Sequence, residues 1–178
     1  MRCQSCAAAR EYNLVKSVVP QVNGETLDAA QDALIWTLPT GRRCPCCGQF
    51  AKRYRYRLSA NCCHFLVWLY WKDHANPGAF HSVRMMPQKI MASRDYTRPV
   101  HYGLIEEEPN GNPKKHRSGN WRINGDGREF VEKKRAVPEY MYVYNEHILY
   151  FDGEPVTIDH FSGKHFDYAE AMATWRPH

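Results

Sequence analysis

The sequence lacks any hydrophobic run long enough to cross a bilayer, and its N-terminus has no signal-peptide core. It also has no internal repeat and no low-complexity segment. Its 178 residues, 43% of them hydrophobic, are enough to bury a sizeable core. We therefore predict a globular cytoplasmic protein without a membrane partner.

The motifs of familiar enzymes are missing as well. There is no Ser-His-Asp spacing, no P-loop, no G-x-G-x-x-G and no H-E-x-x-H. Two pairs of histidines flank turns, His74 with His81 and His160 with His165, but lone histidines in loops are usually surface residues. The His-rich hairpin needed by zinc-finger nucleases of the His-Asn-His kind is also missing. We therefore predict that the chain is not an enzyme.

Cysteine is present in an odd number, seven, with adjacent pairs, which disfavours a secreted disulfide framework and fits metal binding in a reducing cytosol. Two C-x-x-C units supply the predicted ligands of a structural zinc ion: Cys3, Cys6, Cys44 and Cys47. Four thiolates complete a tetrahedral site and leave no open position for a substrate. An alternative ligand cluster stands early in a later helix: Cys62, Cys63 and His64.

Charge is unevenly distributed along the chain. Residues 1–135 hold 22 Lys and Arg against 12 Asp and Glu, whereas residues 136–178 hold 2 against 7. A basic body with an acidic C-terminal region predicts a surface for nucleic acid and a separate face for something else.

Period-two alternation and capping signals predict the local structure. Thr26 caps a short helix that ends near Trp36, and Ser59 caps a helix with a wide apolar arc, central to a core. Between them, KRYRYRL reads as a strand with arginines on one face. Short helices are expected near PQKIMAS and RDYTRPVHY, then strands in GLIEEE and GNWRI around a basic tip. The C-terminal region predicts a tyrosine-rich hairpin with turns at Asn145–His147 and Asp152–Gly153, then a helix over DYAEAMATW.

Basic side chains form the candidate binding surface for nucleic acid or a partner. They lie on the predicted strand, around the third helix and at the tip of the hairpin: Arg53, Arg55, Arg57, Arg94, Arg98, Lys114, Lys115 and Arg117. Arginine suits bidentate contact with phosphate. Solvated surface residues are the alternative interpretation of the same set.

Residues from Tyr102 onward carry a resemblance to a known family. The run HYGLIEEE, the basic tip and GNWRINGDGREFV resemble the wing of MarR-like winged helix-turn-helix proteins, with Trp121, Ile123 and Gly127 matching the pattern. Asn124 replaces the usual threonine as a helix cap. The chain from Cys44 to Tyr168 also resembles uncharacterised phage proteins with a C-P-x-C-G knuckle. Winged-helix proteins often form homodimers, and the resemblance leaves that state open.

One departure from this pattern concerns Pro99, which stands where a recognition helix would have its middle turn. A proline inside an α-helix removes a hydrogen bond and costs about 3 kcal/mol. The residue therefore argues against direct reading of the major groove by this helix.

Taken together, the sequence predicts an α+β fold: a winged helix-turn-helix core with an N-terminal zinc knuckle or ribbon and a C-terminal β-hairpin. The predicted parts are 1–58 (helix and zinc knuckle), 59–135 (winged helix) and 136–178 (hairpin extension). The leading functional hypothesis is a zinc-stabilised nucleic-acid-binding protein, with duplex DNA as partner, acting as a phage regulator in the host cytoplasm. The alternative is a phage inhibitor that binds the acidic surface of a host nucleoprotein or defence complex.

Overall fold

A computed structural model describes residues 26–91, 94–112 and 117–177. Helices and small antiparallel sheets make up this part of the chain, so the fold is α+β as predicted. The chain divides into two compact units. The first takes in the chain up to Tyr56 together with Met141–Tyr150, and the second comprises Arg57–Tyr140 and the chain from Phe151 onward.

The first unit is built from one helix and short strands. Helix α1 (Leu27–Thr37) begins after Thr26, whose side chain accepts a hydrogen bond from the Ala29 amide, as the capping signal predicts. Strands β1 (Arg42–Arg43) and β2 (Phe50–Ala51) then pair around the cysteine turn. Strand β3 (Tyr54–Tyr56) pairs antiparallel with Met141–Val143 of a later strand.

Helix α2 (Ala60–Ala75) is the centre of the second unit. Ser59 caps it as predicted, and every residue from Cys62 to Tyr70 is buried, so the helix is surrounded rather than laid on a surface. Its C-terminal end is held by Asp73, which accepts from the Gly78 amide at 2.9 Å and pairs with Arg128 at 2.7 Å. The prediction that this helix is central to a core is confirmed.

A three-stranded sheet packs with this helix. Strands β4 (His81–Ser82), β5 (Ile105–Glu107) and β6 (Asn120–Ile123) lie in the order β4-β6-β5 and are antiparallel. A 3₁₀ turn (Val83–Met85) and helix α3 (Gln88–Met91) follow β4. Helix α4 (Gly125–Val131) follows β6 and is capped by Asn124, which accepts from the Gly127 amide at 2.9 Å, as predicted.

The segment RDYTRPVHY forms a 3₁₀ helix over Arg94–Tyr102, which we call the proline helix, where the sequence favoured a third helix of ordinary form. Pro99 lies inside it and is buried. Proline clashes with the preceding turn of an α-helix, so the chain takes the tighter 3₁₀ winding here. The expected disturbance of an α-helix around Pro99 is therefore confirmed.

The C-terminal hairpin consists of β7 (Val137–Tyr144) and β8 (His147–Val156). Asn145 and Glu146 have φ of 48° and 65°, which places the turn where it was predicted. The predicted turn at Asp152–Gly153 is wrong, since β8 continues through both residues. Gly153 has φ of 86°, and a Cβ there would lie 2.9 Å from the Tyr140 ring. Glycine therefore allows β8 to pass close to the Tyr140 side chain of β7.

A final 3₁₀ turn (Ile158–Phe161) and helix α5 (Tyr168–Thr174) complete the second unit, and α5 matches its predicted position. The three-part division at 58 and 135 stays a prediction. Among the described residues, no helix has the length and apolar character needed to traverse a lipid bilayer.

Candidate nucleic-acid interface

The C-P-x-C-G motif forms a tight turn between β1 and β2. The Cys44 amide donates to the Gln49 carbonyl at 2.7 Å, and the Gly48 amide donates to the Cys44 carbonyl at 2.8 Å. Gly48 has φ of 72°, a conformation that glycine adopts without strain. Cys44 is buried and Cys47 is half-buried on this turn. Cys44 and Cys47, the second predicted thiol pair, therefore lie on one tight turn.

The other predicted ligands, Cys3 and Cys6, lie outside the described residues. Within the ranges 26–91, 94–112 and 117–177, no group of three or more His, Cys, Asp or Glu side chains is arranged to hold a metal ion. The zinc site stays a prediction, of which the Cys44 turn is the part that can be described. Its donor chemistry fits zinc, since two cysteines on a glycine-closed turn are half of a tetrahedral sulfur site.

The alternative ligand cluster lies in the core of the second unit. Cys62 donates through its Sγ to the Asp95 carbonyl at 3.1 Å, and burial raises the pKa of the Cys62 thiol. Burial, with Cys62 beside it, raises the pKa of the Cys63 thiol well above its ordinary value. His64 Nε2 lies 3.1 Å from the His165 carbonyl oxygen. Cys62 and Cys63 are both fully buried among the apolar residues of the core, where they pack as small core residues.

One side of the sheet in the first unit carries what we call the arginine–tyrosine face. It is made of Arg53, Arg55, Tyr142 and Tyr150. Arg55 lies directly opposite Tyr142 in the β3–β7 pairing, so both side chains point to one side of the sheet. The Arg53 guanidinium lies 4.6 Å from the centre of the Tyr142 ring and 5.4 Å from that of Tyr150. It also donates a hydrogen bond to the Tyr150 hydroxyl. The two rings stack with centroids 4.8 Å apart.

The opposite side of β3 carries Tyr54 and Tyr56, which pair with Val143 and Met141. The sequence predicted an apolar row here, and Tyr54 is nevertheless 48% exposed. Near them a hollow of about 190 Å³ opens beside the cysteine turn, lined by Phe50, Lys52 and Tyr144 among others. Both faces of β3 are thus open to solvent.

A second basic cluster lies in the second unit and consists of Arg98, His101 and Arg117. Arg98 donates to the Arg57 carbonyl at 3.0 Å and pairs with Asp95 at 3.5 Å. Side chains at i and i+3 eclipse in a 3₁₀ helix, which brings this acid and this base together. Arg117 donates to the Thr97 hydroxyl at 3.3 Å. Arg98 is therefore already engaged by protein groups.

The pKa of His101 depends on its burial and on the two arginines. Partial burial lowers the pKa of its imidazole below the ordinary 6.5, and the positive charges of Arg117 and then Arg98 lower it further. The imidazolium form of His101 is therefore disfavoured by burial and by these two positive charges.

We expect the His101 pKa to rise in the Arg117→Ala variant, because removing a nearby positive charge favours the imidazolium. NMR titration of the imidazole Cε1–H resonance measures this. Arg84→Ala is the matched control, since this exposed arginine is not among the groups that shift His101. The cluster is contradicted if both variants titrate like the unsubstituted protein.

The remaining predicted basic residues are placed as follows. Arg57 is exposed at the start of the second unit. Arg94 begins the proline helix, and only its backbone is described. Lys114 and Lys115 lie outside the described residues. The structure thus brings predicted residues together at two places, one in each unit.

Sequence reasoning missed Tyr150. A strand with arginines on one face and a tyrosine-rich hairpin were each predicted, but nothing in the sequence showed that these strands pair with each other. That pairing joins residues almost ninety positions apart, from Arg55 to Tyr142. The available signal was the density of aromatic residues in ILYFDGEP, which predicted a strand and gave no partner.

Comparison with known proteins finds no matching family model, no matching curated protein and no matching solved structure. The resemblance to winged-helix and phage proteins therefore rests on the motif residues of the sequence and stays a prediction.

Proposed function

We propose that this chain is a zinc-stabilised winged-helix protein that binds nucleic acid. The observation that carries the proposal is the charge of residues 41–57, which include six Lys and Arg and no Asp or Glu. In the first unit this segment supplies the two cations of the arginine–tyrosine face. A basic strand with ordered arginines is suited to phosphate contacts.

The element order of the second unit supports the winged-helix part of the proposal. Helix α2, strand β4, helix α3 and the proline helix precede an antiparallel hairpin, and the last strand of that hairpin lies between the other two. Helices followed by such a hairpin are the order of a winged helix-turn-helix.

The proline helix limits how the duplex is read. Its 3₁₀ winding aligns Arg98 with Asp95, and Arg98 also binds the Arg57 carbonyl, so this arginine is already engaged by protein groups. Specific readout of a major groove needs side chains that reach base edges. Binding is therefore expected to depend on the phosphate backbone more than on base sequence.

A salt titration tests the proposal. We expect the affinity for a random duplex, and for one of its strands, to fall steeply between about 50 and 200 mM salt, because counterions are released from phosphates. In Arg55→Ala, the slope of log K against log salt should lessen by about 1. Fluorescence anisotropy measures both quantities.

Lys164→Ala is the matched control, because it removes an exposed cation outside the predicted set. Its slope should equal that of the unsubstituted protein. Absence of salt-dependent binding to either nucleic acid would refute the proposal.

A protein partner is the second candidate, and helix α1 favours it. Trp36 is 83% exposed, Ile35 is 56% exposed and Leu27 is 50% exposed. Large apolar side chains in solvent are typical of protein-binding surfaces. An inhibitor of a host nucleoprotein or defence complex would use such a surface, with the basic segment meeting an acidic one. Loss of partner capture from host lysate in Trp36→Ser, with nucleic-acid binding unchanged, would favour this role.

A further inference from the structure

The arginine–tyrosine face is the one place among the described residues where stacked aromatic rings and arginines share one side of a sheet. We propose that this face binds single-stranded nucleic acid, with bases stacking on the tyrosines and phosphates contacting the arginines. The inference rests on the proposed function and narrows it to one class of ligand.

The first support is the order already imposed on Arg53. Its guanidinium lies over the Tyr142 ring at 4.6 Å and near the Tyr150 ring at 5.4 Å, within the range of cation–π attraction. The hydrogen bond from its Nη1 to the Tyr150 hydroxyl also fixes the side chain. A planar guanidinium held in this way needs little further ordering when it meets a phosphate.

The second support is the exposure of the rings. Tyr142 and Tyr150 stack at 4.8 Å with an angle of 27° between their planes, and Tyr150 is still 41% exposed. A nearly parallel pair with one ring open to solvent offers a flat platform. Bases stack on such platforms whatever their identity, because every base has a π-face.

Charge favours this ligand over an apolar one. Arg55 lies opposite Tyr142 on the same face and is exposed, so a cation stands beside the rings. Residues 41–57, which include Arg55, hold six Lys and Arg and no Asp or Glu, so this segment is strongly basic. Alternating rings and cations match the alternating bases and phosphates of an unpaired strand.

The same geometry disfavours a duplex at this face. In a duplex the base faces are covered by their neighbours, and reaching one requires unstacking or flipping. A single strand presents its bases without that cost. The arginines alone would bind either form, so the contribution of the tyrosine rings distinguishes the two ligands.

The test compares substitutions on the two faces of the same sheet. Full-length protein is titrated into labelled oligo(dT) and oligo(U) of about 12 nucleotides, and into a duplex of equal length, at one salt concentration. We expect Tyr150→Ala to weaken single-strand binding about tenfold and duplex binding by less than about twofold. The two oligonucleotides show whether DNA or RNA is the better ligand, and either preference supports the proposal.

Two controls separate stacking from other effects. Tyr150→Phe keeps the ring and removes the hydroxyl that accepts from Arg53, so its loss of affinity should be much smaller than that of Tyr150→Ala. Tyr54→Ala removes an equally exposed ring from the opposite face and should have as small an effect. Circular dichroism and thermal melting of each variant show that the fold is retained.

Equal losses in Tyr150→Ala and Tyr54→Ala would overturn the assignment of the face. An unchanged single-strand affinity in Tyr150→Ala, with salt-dependent binding intact, would overturn this inference and leave the proposed function standing. Absence of binding to all three nucleic acids would remove the proposed function itself.

Discussion

Gly127→Ala is expected to destabilise the second unit by about 3 kcal/mol or more, or to prevent its folding. A Cβ at this position would lie 2.0 Å from the Leu104 carbonyl oxygen and 2.6 Å from Ile123 Cγ1. The first of these is a backbone atom and cannot rotate away. Helix α4 and Leu104, the residue that leads into strand β5, would have to separate, which would open the core around Phe130. Chemical denaturation measures the loss.

Helix propensity alone would predict that Gly127→Ala stabilises the protein, because it favours alanine over glycine by about 1 kcal/mol inside a helix. Gly125→Ala is the matched control in the same helix. A Cβ there meets nothing within 4 Å, so we expect stability equal to or slightly above that of the unsubstituted protein. Equal stability of the two variants would contradict the close packing of α4 on Leu104.

Removal of either knuckle cysteine is expected to abolish zinc binding and unfold the first unit. Cys44→Ala and Cys47→Ala should each lose about one equivalent of metal, because a structural site needs all four ligands. Apparent binding energies of about 10–16 kcal/mol are found for structural zinc. The described residues of the first unit include few buried side chains that could replace such a contribution. Elemental analysis measures the metal, and circular dichroism with and without chelator measures the unfolding.

Two further variants define the ligand set. Cys46 lies in the same turn, and Cys46→Ala should keep its zinc. Cys63→Ala should keep it as well, since Cys63 is a core residue of the second unit. The double variant Cys3→Ala/Cys6→Ala should lose the metal if these residues complete the site. An unsubstituted protein that contains no zinc would refute the site altogether.

The secondary structure could be predicted from local signals because those signals act over a few residues. Thr26, Ser59 and Asn124 each cap the helix that follows, through a side-chain oxygen and an amide two or three positions ahead. Asn145 and Glu146 form the hairpin turn at their predicted place. The error at Gly153 has the same origin, because Asp-Gly is a turn signal by itself, and only the nearby Tyr140 ring explains a glycine inside a strand.

The candidate site was less accessible to sequence reasoning. KRYRYRL predicted a strand with arginines on one face, and the strand is confirmed over Tyr54–Tyr56, where Arg55 lies between the two tyrosines. Whether these arginines and the tyrosines of the hairpin share a face depends on which strands pair and in what register. A shift of one residue would turn every side chain to the other side of the sheet. The pairing of Arg55 with Tyr142 is therefore information held only by the folded chain.

By itself the sequence determined the mixed α+β class, the helix starts, the hairpin turn, the cysteine knuckle motif and the excess of positive charge before residue 136. These follow from capping, periodicity and composition, whose physics is local or additive. Tertiary structure alone decided that Cys62 and Cys63 are core residues, that Arg98 is engaged by Asp95 and the Arg57 carbonyl, and that Arg53 lies over two tyrosine rings. Those outcomes depend on burial and on contacts between distant segments, and such contacts exist only when the chain has packed.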